Sequence, residues 1–211
     1  MTVLREISEL LQKGNAKAVG EKTNEAINQG IEPSTILNEG LIAGMNIIGI
    51  KFKNDEVYVP EVMMAAKAMY SGLALLKPRL VETGIKPAGK VLLGTVRGDL
   101  HDIGKNLVGM MMEGAGLEVV DLGKNVSAEK FVEAVGEHKP DIVALSALLT
   151  TTMPEQRNVI EALKEAGLRE TVKVMVGGAP VTQEYADDIG ADAYTPDAAT
   201  AADKAMEFLK A

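Results

Sequence analysis

The chain has 211 residues, of which 46% are hydrophobic and 25% charged, and this composition predicts a globular protein of one domain or two small ones. It has no cysteine, no signal-peptide pattern and no apolar run near the ~18 residues of a membrane span, so we expect a cytoplasmic protein without disulfides, thiolate metal sites or a membrane partner. The net charge of −8 and the 3% aromatic content argue against nucleic-acid binding, which needs clustered cations and stacking platforms.

The first 84 or so residues carry only helical periodicity. Apolar residues at helical spacing from Val3 predict a first helix that ends at Gly14, and a second helix fits 15–29. A third is expected to begin after Pro33, and a fourth at Pro60, since proline suits the first turn of a helix. These segments predict an N-terminal four-helix bundle.

The stretch 77–90 holds two prolines, two glycines and several charges, which is typical of a connection between domains. We therefore predict a helical cap domain over 1–88 and an α/β domain over 89–211.

Five short apolar segments follow, separated by helical stretches. The predicted strands are 91–96, 117–122, 141–147, 172–178 and 192–195, and the predicted helices are 103–115, 127–138, 154–167, 182–188 and 197–209. This alternation predicts a five-stranded parallel sheet covered on both faces, of the flavodoxin or Rossmann-like type. Such sheets bind ligands at the carboxyl ends of their strands.

The loop after the first predicted strand contains His101, with Asp99 two residues before it and Asp102 directly after. A histidine that binds a metal usually donates its other N–H to a carboxylate, and Asp99 is placed to accept it. Two histidines and no thiols are too few for a bare metal ion, so a macrocycle would have to fill the other coordination positions. Alternatively, the acidic residues only stabilise the start of the following helix.

The ends of the third and fourth predicted strands supply small and hydroxyl residues. They are Ser146, Leu148, Thr150, Thr152, Gly177 and Gly178. The other histidine, His138, falls in a predicted turn at the opposite end of the sheet and is interpreted as structural.

The spacing of these residues resembles a known fingerprint. Asp99-x-His101-x-x-Gly104, then 41 residues, Ser146-x-Leu148, then 28 residues, and Gly177-Gly178 resembles the cobalamin-binding motif of methionine synthase and of corrinoid-dependent methyltransferases and mutases. The helical leader with VYVPEVMMAA at 57–66 resembles the cap of the methyl-carrying branch. The chain is most similar to stand-alone corrinoid proteins of three-component methyltransferase systems.

The resemblance implies cobalamin or a related corrinoid as cofactor, with methylcobalamin as the loaded form. His101 would be the lower axial ligand of cobalt, Asp99 would hold the imidazole, and Thr152, in place of a serine, would continue the relay. The displaced nucleotide tail would lie along residues of the later strand ends. The implied cofactor-binding set is Asp99, His101, Asp102, Ile103, Gly104, Ser146, Leu148, Thr150, Thr152, Gly177 and Gly178.

The resemblance further implies a methyl carrier that cycles between Co(I) and methyl-Co(III) and has no complete active site of its own. Its partners would be a substrate-specific corrinoid methyltransferase, a methylcorrinoid methyltransferase acting on tetrahydrofolate or coenzyme M, and a reductive activator. The segment with Val59, Pro60, Met63 and Met64 would be a lid over cobalt or ordinary bundle core. The alternatives are the small subunit of an adenosylcobalamin-dependent mutase, a cobalamin sensor and a storage protein.

Overall fold

A computed structural model describes residues 2–82 and 86–210, which form two compact units. One unit runs up to Pro87 and includes Gly114–Gly116; the other begins at Ala88 and contains the sheet. The predicted domain boundary, between 88 and 89, lies one residue from this division.

The first unit is helical: α1 (Val3–Gln12), α2 (Ala16–Asn28), α3 (Pro33–Thr35), α4 (Ala43–Lys53) and α5 (Val59–Glu82). Side-chain caps begin two of them, because Thr2 accepts from the amide of Arg5 and Asn15 from that of Ala18. The predicted third helix is observed as α3, a π-helical stretch over Ile36–Ile42 and α4 in direct succession. Fully buried apolar side chains from these helices fill the core, among them Ile7, Leu11, Val19, Leu41 and Leu76.

The prediction of a connection over 77–90 is wrong for its first residues. Helix α5 continues through Pro78 to Glu82. Leu76 and Leu80, one helical turn apart, are both buried, and their packing keeps these last turns helical despite the proline. Residues 83–85 of the predicted connection lie outside the described residues.

The second unit is the predicted parallel sheet with helices between its strands. Its strands are β1 (Lys90–Thr95), β2 (Glu118–Asp121), β3 (Ile142–Ser146), β4 (Lys173–Gly177) and β5 (Ala193–Tyr194). The helices are α6 (Ile103–Gly114), α7 (Ala128–His138), α8 (Pro154–Glu165), α9 (Gln183–Ile189) and α10 (Ala198–Phe208). His138 is the last residue of α7 rather than part of a turn.

The strand order is β2-β1-β3-β4-β5, with all pairings parallel, so the flavodoxin-like fold is confirmed. The chain order reverses between β1 and β3, where the register pairs Thr95 with Ser146. In doubly wound sheets this switch point opens a crevice at the carboxyl ends of the two strands. The loop after β1 and the turn after β3 therefore meet there.

Candidate functional site

Asp99 lies at the centre of the switch point, and its side chain is completely buried. Its Oδ1 accepts hydrogen bonds from the His101 backbone N–H at 3.0 Å and pairs with the His101 ring nitrogen Nδ1 at 2.8 Å. Its Oδ2 accepts from the Leu148 N–H and from the Thr152 hydroxyl, both at 2.7 Å. One carboxylate thus joins the loop after β1 to the turn after β3, and the structure brings the predicted trio of Asp99, His101 and Thr152 together.

The Asp99 carboxyl is ionised. Burial raises its pKa, but the hydrogen bonds from His101, Thr152 and Leu148 stabilise the charged form and lower the pKa well below the ordinary value of 3.8. A buried carboxylate held by so many donors remains negative over the whole physiological pH range.

The ionised carboxylate determines the state of the His101 ring. A carboxylate can only accept hydrogen bonds, so Nδ1 must carry the proton that it shares with Asp99. In the neutral imidazole the lone pair then lies on Nε2, which has no hydrogen-bond partner among the described residues. The His101 side chain is 49% exposed, so Nε2 is available to a ligand. This is the geometry of a histidine prepared to coordinate a metal.

The loop that carries His101 is fixed to its neighbours. The Thr95 hydroxyl donates to the His101 carbonyl oxygen at 3.2 Å. The Asn125 side chain accepts from the Gly98 N–H at 2.8 Å, and the Asn125 N–H donates to the Asp99 carbonyl at 3.0 Å. These contacts set the backbone of the loop independently of any ligand.

An ion pair between a buried lysine and a half-exposed aspartate holds the helix that follows the loop. Lys105, in the first turn of α6, is 3% exposed and its ammonium bonds both carboxylate oxygens of Asp121 at the end of β2. Our sequence reasoning missed Asn125, Lys105 and Asp121. Lys105 falls on the apolar face of α6 with Met112, and a lysine at a core-facing position signals an acidic partner nearby.

The glycines of the motif have different reasons to be glycine. A Cβ on Gly178 would lie 1.8 Å from the Ala147 carbonyl oxygen, and its φ is +130°, so the protein backbone itself excludes a side chain there. A Cβ on Gly104 would meet nothing within 4 Å, although Gly104 lies in α6, where alanine is the better helix former. No protein atom excludes a side chain at Gly104, so the structure leaves room for a ligand beside this end of the helix.

The remaining predicted cofactor residues line the same edge of the sheet. Ser146 ends β3 half-buried, and Thr150 is exposed in the following turn. Leu148 is 41% and Ile103 77% exposed, and both offer apolar surface to a ligand at this edge. Asp102 is partly buried, with Lys124 Nζ 3.9 Å from its carboxylate.

The cap residues are partly outside the bundle core. Met63 and Met64 are about half exposed, at 49% and 51%. Their neighbours on the inward face of α5, Val62, Ala65 and Ala66, are buried. The interpretation of these two methionines as core is wrong, because α5 turns the apolar alanines and valine inward instead. The lid interpretation stays a prediction.

The donor set fits a corrinoid better than a bare ion. Within residues 2–82 and 86–210, no group of three or more His, Asp or Glu side chains could hold a metal ion. One edge of the sheet instead offers the Nε2 of His101, the space beside Gly104 and the exposed apolar side chains of Ile103 and Leu148. This set suits a ligand that brings most of the metal's coordination shell with it. Across the same residues no helix is long and apolar enough to cross a membrane.

Comparison with known proteins gives consistent matches over both units. Residues 89–204 and 3–77 each match a family described as a B12 binding domain. Dimethylamine corrinoid protein 1 of Methanosarcina acetivorans is 51% identical over 85% of this chain and 84% of its own length. A chain of the methanol:cobalamin methyltransferase complex of Methanosarcina barkeri is 31% identical, with a TM-score of 0.90 over 99% of this chain and 80% of that one. A cobalamin-binding protein of Desulfitobacterium hafniense is 30% identical, with a TM-score of 0.80 over 97% of this chain and 98% of that one.

Proposed function

Since this chain belongs to the B12-binding family as a corrinoid protein, we propose that it holds its corrinoid through His101 and carries methyl groups between two methyltransferases. The observation that carries the proposal is the contact of His101 Nδ1 with the buried, ionised Asp99, which leaves Nε2 exposed. When bound, the corrinoid supplies a cobalt ion that accepts a methyl group and releases it to a nucleophile.

The residues of this chain control the nitrogen ligand. Asp99 keeps the proton on Nδ1, and the Thr152 hydroxyl stabilises the charge on Asp99 from the other oxygen. Protonation of Nε2 would remove its lone pair and the ring would leave the metal, while the ring would remain attached to Asp99. The chain therefore offers a ligand that can be engaged and released without refolding its loop.

We propose methylated nitrogen compounds as the class of methyl donor. Relatives that are 46–51% identical are named dimethylamine corrinoid proteins, whereas the chain in the methanol complex is 31% identical. The first partner is then a methyltransferase specific for such a donor. A second transfers the methyl group to tetrahydrofolate or a thiol such as coenzyme M, and a reductive activator restores the cofactor. A cytoplasmic location stays a prediction.

The relatives favour methyl carriage over the alternatives. None of the named relatives reported above is described as a mutase subunit, a sensor or a storage protein. Storage predicts no methyl transfer in the presence of partner enzymes, and that difference separates the two functions experimentally.

Anaerobic reconstitution with cobalamin tests the proposal. We expect the wild type to bind one corrinoid and its Co(II) form to show nitrogen superhyperfine splitting in its electron paramagnetic resonance spectrum. His101→Ala should keep the corrinoid but lose the splitting. His138→Ala is the matched control and should keep both, because His138 lies at the amino edge of β3, before that strand begins. Both proteins are prepared with ¹⁵N-labelled histidine, because the cofactor's own benzimidazole nitrogen can also split the signal. Label-dependent splitting that persists in His101→Ala, or wild-type splitting that does not respond to the label, would refute the ligand assignment.

Methyl transfer then needs a partner. Wild-type protein loaded with cobalamin, mixed with purified methyltransferases and a panel of methylamines, methanol and aryl methyl ethers, should be methylated only with a nitrogen-bound methyl donor. Methylation with methanol alone would overturn the proposed donor class, and no methylation with any pair would overturn methyl carriage.

A further inference from the structure

Gln156 is a completely buried polar residue that the binding motif does not include. It lies in the first turn of α8, one helical turn after Thr152, and its relative exposure is 0%. Its amide nitrogen Nε2 donates to the Leu145 carbonyl at 3.0 Å and to the Gly177 carbonyl at 3.1 Å. The side chain thus bridges the carboxyl ends of β3 and β4.

The two carbonyls fix the orientation of the amide. Both are acceptors only, so they require the NH₂ group and leave Oε1 as the free end. Oε1 is buried, and no described residue donates a hydrogen bond to it. An unsatisfied buried acceptor is costly, and the bridge between the two strands, which uses only Nε2, does not account for Oε1.

The free acceptor lies beside the predicted path of the nucleotide tail. The two carbonyls that anchor the amide belong to Gly177 and to the residue before Ser146, and both Ser146 and Gly177 belong to the predicted tail-binding set. Oε1 shares its carbon with Nε2, so it lies at the same strand ends. In this fold that edge of the sheet is where ligands bind.

We propose that Gln156 Oε1 accepts a hydrogen bond from a ribose hydroxyl of the corrinoid's nucleotide tail. This inference rests on the proposed function. In the tail, the phosphate and the unprotonated base nitrogen are acceptors, so a ribose hydroxyl is the donor that the nucleotide offers. Gln156 is then a specificity residue that selects corrinoids with a complete nucleotide tail over corrinoids that lack it.

The test compares two corrinoids on one variant. Gln156→Met should bind cobalamin roughly five- to tenfold more weakly than the wild type, as expected for one lost hydrogen bond. Its affinity for cobinamide, which has the ring but no nucleotide, should be unchanged. Gln183→Met, at the start of α9 on the surface, is the matched control and should bind both corrinoids like the wild type. Affinities are measured by anaerobic titration of the apoprotein.

The outcomes separate this inference from the proposed function. Equal losses for cobalamin and cobinamide, or no loss for either, would overturn the role of Gln156; an internal water on Oε1 would give such a result. Failure of the wild type to bind any corrinoid would overturn the proposed function itself.

A ligand-side measurement covers the case in which Gln156→Met does not fold. A cobalamin whose free ribose hydroxyls are replaced by hydrogen should bind wild-type protein more weakly than cobalamin by the same factor. Equal affinity of the wild type for the two would overturn the inference. If the variant does fold, it should not distinguish these two ligands, because the partner of the hydroxyl is gone.

Discussion

The Thr152 hydroxyl is the most direct test of the Asp99 network, because Thr152→Val removes one oxygen and leaves the shape. The hydroxyl is 2.7 Å from the Asp99 carboxylate, and Thr152 is only 6% exposed. A hydrogen bond to a charged group contributes ~1.5–3 kcal/mol. We expect the free energy of unfolding of the apoprotein to fall by about 2 kcal/mol at neutral pH, with Thr152→Ser close to the wild type.

The pH dependence gives the same experiment a second readout. Because the folded pKa of Asp99 lies below its ordinary value of 3.8, its stabilising effect is present above that pH and is lost as the pH falls toward the folded pKa. The difference between wild type and Thr152→Val should therefore be constant near neutrality and shrink under acid conditions. Urea unfolding from neutral pH to the lowest pH at which both stay folded measures it.

A matched control separates this network from ordinary threonine–aspartate contacts. The Thr200 hydroxyl donates to Asp197 at 2.8 Å at the partly exposed start of α10. Thr200→Val should cost under about 1 kcal/mol, since exposed hydrogen bonds contribute less. If Thr152→Val costs no more than this control, or if its cost does not diminish in acid, the reasoning about a buried, ionised Asp99 is refuted.

Three further predictions concern the surroundings of the site. Asp121→Asn should destabilise the apoprotein by about 1–3 kcal/mol, because the buried Lys105 ammonium loses the charge of its half-exposed partner. Lys105→Met should lower the free energy of unfolding by less, because Asp121 is 44% exposed and stays hydrated without its partner. In urea unfolding, the double variant should be more stable than Asp121→Asn alone. Additive losses of the two single variants would contradict this. Gly178→Ala should not yield folded protein, given its φ of +130° and the backbone contact at 1.8 Å. Gly104→Ala should raise apoprotein stability by ~0.5–1 kcal/mol while weakening cobalamin binding, and unchanged binding would refute the close approach of the ligand there.

The sheet was predictable from the sequence because its signals are local. Each strand is a short apolar run, and the helices between the strands are amphipathic. This alternation alone predicts that the strands are parallel. The predicted connection over 77–90 was wrong at its start, where α5 continues through Pro78 because burial of Leu76 and Leu80 outweighs the proline. The composition of a short segment does not show that tertiary packing will offset the effect of a proline.

The site was predictable where a single loop carries the chemistry. Asp99 and His101 are two residues apart, so their contact follows from the sequence itself. Asp121 ends β2, and Asn125 lies in the loop after it. Their contacts with Lys105 and with the loop of His101 depend on the register of the sheet, which the sequence does not report directly. Gln156 has no motif at all, and only its burial and its free oxygen identify it.

These contacts make the site rigid in its backbone and adjustable in one ring. The His101 amide and ring both bind Asp99, and the Thr95 hydroxyl holds the His101 carbonyl, so its backbone is fixed at each end. The Asp99 carboxylate is satisfied entirely by protein donors, so folding alone orients the His101 ring that we propose as the cobalt ligand. The imidazole is the half-exposed part of this network, and its Nε2 has no protein partner among the described residues. The proposed coordination of cobalt by His101 would use this exposed nitrogen while the backbone of the loop stays in place.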